Sequence, residues 1–136
     1  MHTDIAYTLQ KVAAGAEYIV TQMFFDNAPY FKYVDECRTV GINVPIIPGL
    51  KVLTVKNHLH TLPDHFQTTI PSELQEQVES TGTGEQVEEA GILWTARQIE
   101  ELIEYGVPAV HLYVMQNPRP IVSVLQLLKL RGVIDF

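Results

Sequence analysis

The sequence predicts an α/β fold whose strands run parallel. One pattern occurs three times: a helix-like segment ends at a glycine, a short apolar strand follows, and a turn leads into the next helix. The glycines are Gly15, Gly41 and Gly106, and glycine is common just past a helix end because that position often needs a positive φ. Alternating strands and helices give parallel strands with right-handed crossovers. Two architectures accept this pattern, an open doubly wound sheet and a sector of a (β/α)8 barrel.

Three short apolar segments are the predicted strands, at about residues 17–23, 44–47 and 109–115. A strand covered on both faces reads as a near-continuous apolar run, and the first segment fits that description, with Gln22 near its end as the polar exception. A complete barrel needs about 250 residues, so a chain of 136 residues holds about three of the eight strand–helix units.

Local signals place helices around these strands. Thr3 is a predicted N-cap for a first helix over residues 4–14. A second helix over residues 29–40 begins with a proline, which suits the first turn, and Asp26 or Asn27 precedes it as a cap.

The segment between the second and third strands predicts two short helices. The first begins at Thr54 and is limited by Pro63. The second begins at Ser72, which forms a predicted capping box with Gln75.

Two longer helices complete the pattern, one over residues 85–105 and one that opens at Pro118. Residues 81–84 (TGTG) are expected to be a flexible joint between two acidic helical pieces. They lack the lysine and the preceding strand that a phosphate-binding loop requires.

Composition excludes several classes of protein. A net charge of −7 without a cluster of lysine and arginine argues against a nucleic-acid binder. No apolar run approaches the roughly 20 residues that span a bilayer, and residues 1–4 lack the features of a signal peptide. Cys37, the single cysteine, cannot form an internal disulfide, which fits a reducing compartment. We expect a cytoplasmic protein with one structural unit over residues 1–136.

Polar residues at the strand ends form the candidate site, because the carboxyl ends of parallel strands meet at one rim, where α/β folds place their chemistry. Gln22 is the first of them, either as a hydrogen-bonding amide that faces a planar polar ligand or as an amide that caps a loop carbonyl. The others are Gly49 and Lys51 after the second strand, and Tyr113, Gln116, Asn117 and Arg119 after the third.

The histidines do not predict a metal site. His58 and His60 are two residues apart and lie on different sides of a helix, and His65 lies beyond Pro63. His111 sits in the third strand and is expected to be a hydrogen-bonded core histidine. Paired carboxylates and nucleophile arrangements are also absent from the sequence, so we expect no catalytic residue.

Three segments resemble the methylenetetrahydrofolate reductase family. Residues 14–27 (AGAEYIVTQMFFDN) look like the region of that family's sixth strand. Residues 45–51 (PIIPGLK) and 107–113 (VPAVHLY) resemble its seventh and eighth strands, in the same order and at similar intervals. The resemblance covers almost the whole chain and implies the C-terminal sector of a (β/α)8 barrel.

The resemblance also implies a reaction. Members of the family hold FAD at the carboxyl ends of the strands, and NAD(P)H passes hydride to it. The reduced flavin then converts 5,10-methylenetetrahydrofolate to 5-methyltetrahydrofolate, and the cofactor carries the redox chemistry.

Residue by residue, the resemblance implies a folate-binding set. Gln22 matches a glutamine that contacts the folate pterin beside the flavin, and Leu62 is similar to an apolar position lining the folate or nicotinamide pocket. The chain departs from the family at two positions. His58 stands where a glutamine is common, and Asn117 stands where a basic residue meets the folate glutamate tail. Arg119, two residues further on, is a candidate substitute.

The acid and most flavin-contacting residues of the family lie in its first five strands, which this chain does not supply. We therefore expect the chain alone to be inactive. A second hypothesis is a non-enzymatic module that self-associates or docks on a partner carrying the missing strands. A third is an unrelated doubly wound domain.

Overall fold

A computed structural model describes residues 5–135 of the protein. The first part contains helix α1 (Ile5–Ala13), strand β1 (Ile19–Met23), helix α2 (Asn27–Thr39) and strand β2 (Ile46–Leu50). Helices α3 (His58–His65), α4 (Ser72–Glu79) and α5 (Gly84–Tyr105) follow, and then strand β3 (His111–Leu112) and helix α6 (Arg119–Leu130). The predicted cap Thr3 lies outside the described residues.

The strands form one parallel sheet in the order β1-β2-β3. Ile19 pairs with Ile46, and Gly49 pairs with His111. Each strand therefore lies beside the next one in the chain, as in a sector of a (β/α)8 barrel, where strand order follows chain order. The predicted α/β class and the parallel strands are confirmed.

Glycines end the helices as predicted. Gly15, Gly41 and Gly106 have φ values of +107°, +89° and +96°, which side chains with a Cβ rarely adopt. Gly132 follows α6 with φ +72°, so a glycine with a positive φ ends the last helix as well.

Helix starts agree with the sequence in one case and differ in another. Asp26 caps α2, where its carboxylate accepts a hydrogen bond of 3.1 Å from the Ala28 N–H. The predicted capping box at Ser72 is wrong, since Pro71 is the N-cap of α4 and makes no side-chain bond. The Gln75 amide instead donates to Glu79 one turn further along the helix.

Pro63 does not limit the helix that precedes it. It lies inside α3, which begins at His58 rather than Thr54 and continues to His65. The helix is only eight residues long, so a proline in it removes few backbone hydrogen bonds. Residues 81–84 link α4 to α5 through hydrogen bonds. The Gly82 N–H donates to Gln86, and Thr83 accepts from the Gln86 N–H.

The third strand is much shorter than predicted. Only His111 and Leu112 pair with β2, at Gly49 and Leu50, because a strand's length depends on how much of its neighbour it can pair with. The prediction of a core histidine is also wrong. His111 is exposed on the face opposite Leu112, and its ring lies 4.5 Å from that of Tyr113 in an edge-on arrangement.

Within residues 5–135 the protein has two hydrophobic clusters. The helix-side core packs one face of the sheet against α2, α5 and α6. The rim core lies at the carboxyl ends of the strands, and its buried members are Met23, Phe25, Leu53, Leu62, Leu74, Val78, Val87 and Trp94. None of the helices within residues 5–135 combines the length and the apolarity that crossing a lipid bilayer demands.

Gly91 lets α5 approach the rim core closely. A Cβ at this position would lie 1.7 Å from the Leu53 carbonyl oxygen, well inside van der Waals contact. The segment after β2 is therefore held directly against the backbone of α5.

Candidate functional site

The carboxyl end of β1 contains an irregularity. Val20 pairs with Ile47 but Met23 pairs with Gly49, so β1 has one residue more than β2 between these pairs. This extra residue is the mark of a β-bulge, which re-aims side chains and is common next to active sites. Thr21 compensates locally, because its hydroxyl accepts a 2.9 Å hydrogen bond from the Gly49 N–H and donates a 3.0 Å bond to the Gln22 carbonyl.

Tyr113 links the third strand to the first across the second. Its hydroxyl donates a 2.9 Å hydrogen bond to the Thr21 carbonyl. The ring passes directly over Gly49, where a Cβ would lie 2.6 Å from the Thr21 oxygen and 2.7 Å from Tyr113 Cε2. Burial raises the pKa of the Tyr113 phenol, so the hydroxyl stays protonated as a donor. We call Thr21, Gly49 and Tyr113 the rim tie.

Gln22 presents a free amide beside the rim tie. Its side chain is exposed and makes no hydrogen bond within residues 5–135. It lines a groove of about 1230 Å³ that follows the open edge of β1 between α1 and the segment after α3. Lys11, Pro63 and Phe66 are among the other residues of this groove. An amide in this position can donate to and accept from a planar ligand at once.

His58 lies at the start of α3 with one ring nitrogen already used. Its Nδ1 accepts a 3.1 Å hydrogen bond from the Thr54 N–H, which puts the proton of the neutral ring on Nε2. Burial, followed by the positive charge of Lys51, lowers the pKa of His58. His58 is thus a neutral donor at physiological pH.

Leu62 is buried rather than open to the groove. Its side chain is 3% exposed within the rim core, next to the groove residue Pro63. In this structure, Leu62 therefore supports the wall of the groove from behind.

Asn117 and Arg119 make local contacts after β3. The Asn117 Oδ1 accepts a 3.0 Å hydrogen bond from the Arg119 N–H, which forms a turn before α6. The Arg119 Nη2 lies 3.4 Å from Glu88 Oε2 on α5, although the arginine side chain is 71% exposed. Both residues lie at the carboxyl end of the sheet, but their recorded contacts connect them to α5 and α6 and not to Gln22.

A buried polar network at the end of β1 was not predicted from the sequence. Asn27 Nδ2 donates to the Gln98 carbonyl and to Glu101 Oε1, both at 3.1 Å. Gln98 Nε2 donates to Asn27 Oδ1 at 3.1 Å, and the Trp94 indole N–H donates to the Phe25 carbonyl at 2.8 Å. The sequence feature that could have indicated this network is Gln98, a polar residue between the apolar positions of α5.

Comparison with known proteins assigns the family. The model of the methylenetetrahydrofolate reductase family matches residues 1–129. A methylenetetrahydrofolate reductase (NADH) of Arabidopsis thaliana is 32% identical over 134 residues, which cover 98% of this chain and 22% of that protein. A probable NADPH-dependent enzyme of Caenorhabditis elegans is 31% identical over 134 residues, covering 95% of this chain and 20% of that protein.

A solved structure shows the same fold. It is an uncharacterised protein from Clostridium thermocellum, described as binding two copies of 5-methyl-5,6,7,8-tetrahydrofolic acid. The TM-score is 0.60 at 14% identity, and the match covers 96% of this chain and 48% of that one. The chain spans about a fifth of the length of the curated relatives named above. On the family match over residues 1–129, the chain belongs to the methylenetetrahydrofolate reductase family.

Proposed function

We propose that this chain supplies the C-terminal rim for the reduction of 5,10-methylenetetrahydrofolate to 5-methyltetrahydrofolate, with NAD(P)H as the hydride donor and FAD as the carrier. The free Gln22 amide carries the proposal. It lies at the carboxyl end of a parallel strand, where α/β folds place chemistry, in a chain that belongs to the family. Its exposed side chain faces a groove large enough for a bicyclic ring.

In this proposal Gln22 binds the pterin of the folate. The pterin edge offers both donors and acceptors, and one amide can match one of each. The rim tie holds the backbone directly before Gln22, since Thr21 is bonded through its hydroxyl to Gly49 and through its carbonyl to Tyr113. A side chain on a fixed backbone loses less entropy when it binds.

The other proposed contacts are less direct. His58 offers its Nε2 proton to a ligand, and Leu62 supports the wall of the groove. Asn117 and Arg119 are proposed to meet the folate glutamate tail. Arg119 must then leave Glu88, which costs little because an exposed ion pair contributes about 0–1 kcal/mol.

The described residues alone do not suit the diphosphate of FAD. Such a group needs several N–H donors or cations, whereas the groove combines Lys11 with the acidic Asp26 and Asp64. When bound, the flavin supplies the hydride chemistry. We therefore propose that this chain contributes folate contacts and that FAD is held mainly by residues outside it.

Turnover tests the proposed inactivity of the isolated chain. The purified chain is mixed with FAD, and flavin reduction by NADH and by NADPH is followed at 450 nm. We expect no catalytic reduction. Multiple turnovers by the chain alone would contradict the proposal.

Folate binding is tested separately by NMR. We expect 5-methyltetrahydrofolate to shift the side-chain amide signals of Gln22 but not those of Gln10, an exposed glutamine on α1 that serves as the control. Gln22→Ala should weaken the shifts of neighbouring residues, while Gln10→Ala should leave them unchanged. Shifts that are insensitive to Gln22→Ala would remove Gln22 from the site.

The second candidate function is a non-enzymatic module that self-associates or docks on a partner carrying further strands. The sheet favours it, since β1 and β3 each pair only with β2 among the described strands. Val20 on β1 and Met115 in the segment after β3 also leave apolar surface exposed. Unpaired edges promote association. Light scattering tests this candidate, and a strictly monomeric, cooperatively folded chain would count against it.

The proposed location is the cytoplasm. The free thiol of Cys37 is buried in the helix-side core, which suits a reducing compartment. Cell fractionation with an antibody against the chain provides the check.

A further inference from the structure

A cavity of about 220 Å³ is lined by the loop after β1, the start of α4 and the middle of α5. Its polar lining residues are Asp26, Asn27, Glu73, Arg97, Gln98 and Glu101. The cavity is separate from the groove at Gln22, because only Phe25 and Asp26 border both. One water molecule takes up roughly 30 Å³ in the liquid, so the cavity has room for a group much larger than water.

Gln98 brings an unpartnered acceptor to this cavity. Its side chain is 5% exposed, and its Nε2 donates to the Phe24 carbonyl at 3.3 Å and to Asn27 Oδ1 at 3.1 Å. Both hydrogens of the amide are therefore used. The Oε1 is buried and accepts no hydrogen bond from residues 5–135. Because buried side-chain oxygens of this kind are normally bonded, Gln98 Oε1 points to a donor from outside these residues.

The other neutral side chains that line the cavity have no donor to offer. Both hydrogens of Asn27 Nδ2 are used, by the Gln98 carbonyl and by Glu101 Oε1. The Trp94 indole N–H donates to the Phe25 carbonyl at 2.8 Å. An occupant of the cavity therefore meets side-chain acceptors, and it must itself donate.

The charge of the lining identifies this donor as a cation. Three carboxylates line the cavity, those of Asp26, Glu73 and Glu101, and only one oxygen of each has a partner within residues 5–135. The one guanidinium of the lining, on Arg97, is already held. It lies 4.5 Å from the centre of the Trp94 ring and 3.6 Å from Glu73 Oε1. The lining thus keeps two negative charges in excess and three free carboxylate oxygens.

The spread of these acceptors favours a guanidinium over a metal ion. Among the described residues, no three carboxylates, histidines or thiols are arranged so that they could hold a metal. A guanidinium carries five N–H donors in a planar fork and reaches acceptors on several sides, whereas an ammonium is a compact point charge. The contact between Trp94 and Arg97 shows that the aromatic part of the lining also suits a guanidinium.

We propose that this cavity is a binding site for a guanidinium group, which donates to Gln98 Oε1 and to the free oxygens of Asp26 and Glu101. The bonds to the carboxylates are charge-assisted on both sides, which makes them shorter and stronger than neutral ones. The proposal does not rest on the reduction of a folate, since neither Gln22 nor the rim tie takes part.

Methylguanidinium is the first probe, added to the whole chain and followed by NMR. The reporters are the side-chain amide signals of Gln98 and the indole signal of Trp94, the single tryptophan. We expect saturable shifts of both. Methylammonium has the same charge without the planar fork and should bind about fivefold more weakly or less. An unchanged Gln98 amide would mean that water meets its oxygen, and equal binding of both cations would mean a generally acidic surface. Either result would overturn the proposal.

Glu101→Gln removes one charge from the site. The new amide keeps an oxygen that can accept from Asn27 Nδ2, so the buried network is retained. Methylguanidinium binding should weaken about fivefold or more. Glu104→Gln is the matched control, because Glu104 is an exposed glutamate of the same helix that does not line the cavity. It should leave binding unchanged.

Asp26→Asn tests the wall formed by the loop after β1 and leaves α5 untouched. Asparagine also caps helices well, so the start of α2 is kept, and methylguanidinium binding should again weaken. The Trp94 indole signal and the midpoint of thermal unfolding report that each variant is folded. If neither Glu101→Gln nor Asp26→Asn weakened binding, the proposal would be wrong.

The source of the guanidinium is then identified by competition. A short peptide with one arginine and blocked termini represents a partner protein, and free arginine represents a small molecule. Tighter binding of the peptide assigns the site to an arginine side chain of a partner, whereas equal or tighter binding of free arginine assigns it to a small ligand. If neither displaced methylguanidinium, the site would not serve a guanidinium ligand. These measurements involve no turnover, so they are separate from a failure of the proposed reduction.

Discussion

An asparagine follows both β1 and β3, and the two are used differently. Asn27, after β1, is buried and bonded on both sides of its amide to Gln98, with a further bond to Glu101. Asn117, after β3, is exposed, and among residues 5–135 its side chain is bonded only to the Arg119 N–H. The difference lies in α5, which covers the loop after β1 and leaves the loop after β3 in solvent.

This difference divides the rim into a fixed part and an adjustable part. Asn27, after β1, serves the fold, and the rim tie holds the backbone at Gln22 while the Gln22 amide stays free. Beyond Tyr113, the residues after β3 have weak, exposed contacts that a ligand can replace at small cost. Rigid positioning of one contact and freedom of the others suits a ligand with a flat ring and a flexible tail.

The pair of asparagines gives the largest expected contrast. Asn27→Ala should lower the free energy of unfolding by about 3 kcal/mol, because it removes three hydrogen bonds, two to Gln98 and one to Glu101, each worth about 1 kcal/mol. Asn117→Ala should cost less than about 1 kcal/mol, since solvent replaces its bond. Urea unfolding of both variants measures the difference. Equal losses would break the distinction between the two loops.

Gly49 lies between the fixed and the adjustable part of the rim, and its substitution gives the second-largest expected effect. Gly49→Ala should cost about 2 kcal/mol, because its Cβ collides with the Thr21 carbonyl and the Tyr113 ring. Gly84→Ala is the control, since a Cβ there meets nothing within 4 Å and its φ is not positive. Thermal unfolding of both variants is the measurement. A Gly49→Ala protein as stable as Gly84→Ala would show that the rim tie is not tight.

The buried phenols Tyr30 and Tyr33 of α2 add a pH-dependent contrast with the exposed Tyr18. Burial raises the pKa of Tyr30 to about 12, above its ordinary value near 10. The protonated Tyr30 phenol therefore contributes fully to the free energy of unfolding below pH 10. This contribution, on the order of 1–2 kcal/mol, is lost as the pH rises from about 10 to about 12. Tyr30→Phe should flatten this alkaline loss, as measured by unfolding at several pH values.

The matched control for the pH experiment is Tyr18→Phe, since Tyr18 is exposed. It should leave the alkaline loss of stability as it is in the parent chain. If Tyr30→Phe lost as much stability at alkaline pH as the parent chain, the Tyr30 phenol would not be the cause of the loss. The phenol of Tyr33 is expected to supply part of what remains, since burial raises its pKa to about 12 as well.

Arg119 gives the smallest expected effect. Arg119→Ala should change stability by less than about 0.5 kcal/mol, because its pairing with Glu88 is exposed to solvent. Adding salt should not change this difference measurably. A loss above about 1 kcal/mol would mean that the loop after β3 is as tightly built as the loop after β1.

The sequence predicts features that depend on neighbouring residues. The positive φ of Gly15, Gly41 and Gly106 and the Asp26 cap follow from local backbone rules. The placement of Gln22 at a strand end follows from the apolar run before it. These signals need no knowledge of the partner elements, and all of them are confirmed.

Features set by distant partners were not predictable in the same way. Asn27 was a candidate cap, yet its partner Gln98 lies 71 residues away. The shortness of β3 depends on which residues of β2 remain for it to pair with. Arg119 was a candidate substitute for the basic residue that the resemblance implies at Asn117, but its partner in the structure is Glu88 on another helix. The folate-binding roles of Gln22, His58, Leu62, Asn117 and Arg119 stay predictions.

The rim tie also has a consequence for the order of folding. Tyr113 and Thr21 are 92 residues apart, and closing so long a loop is slow and entropically costly. During synthesis, β1 and β2 can pair well before Tyr113 has left the ribosome. The backbone at Gln22 therefore reaches its final position only after Tyr113 has been made.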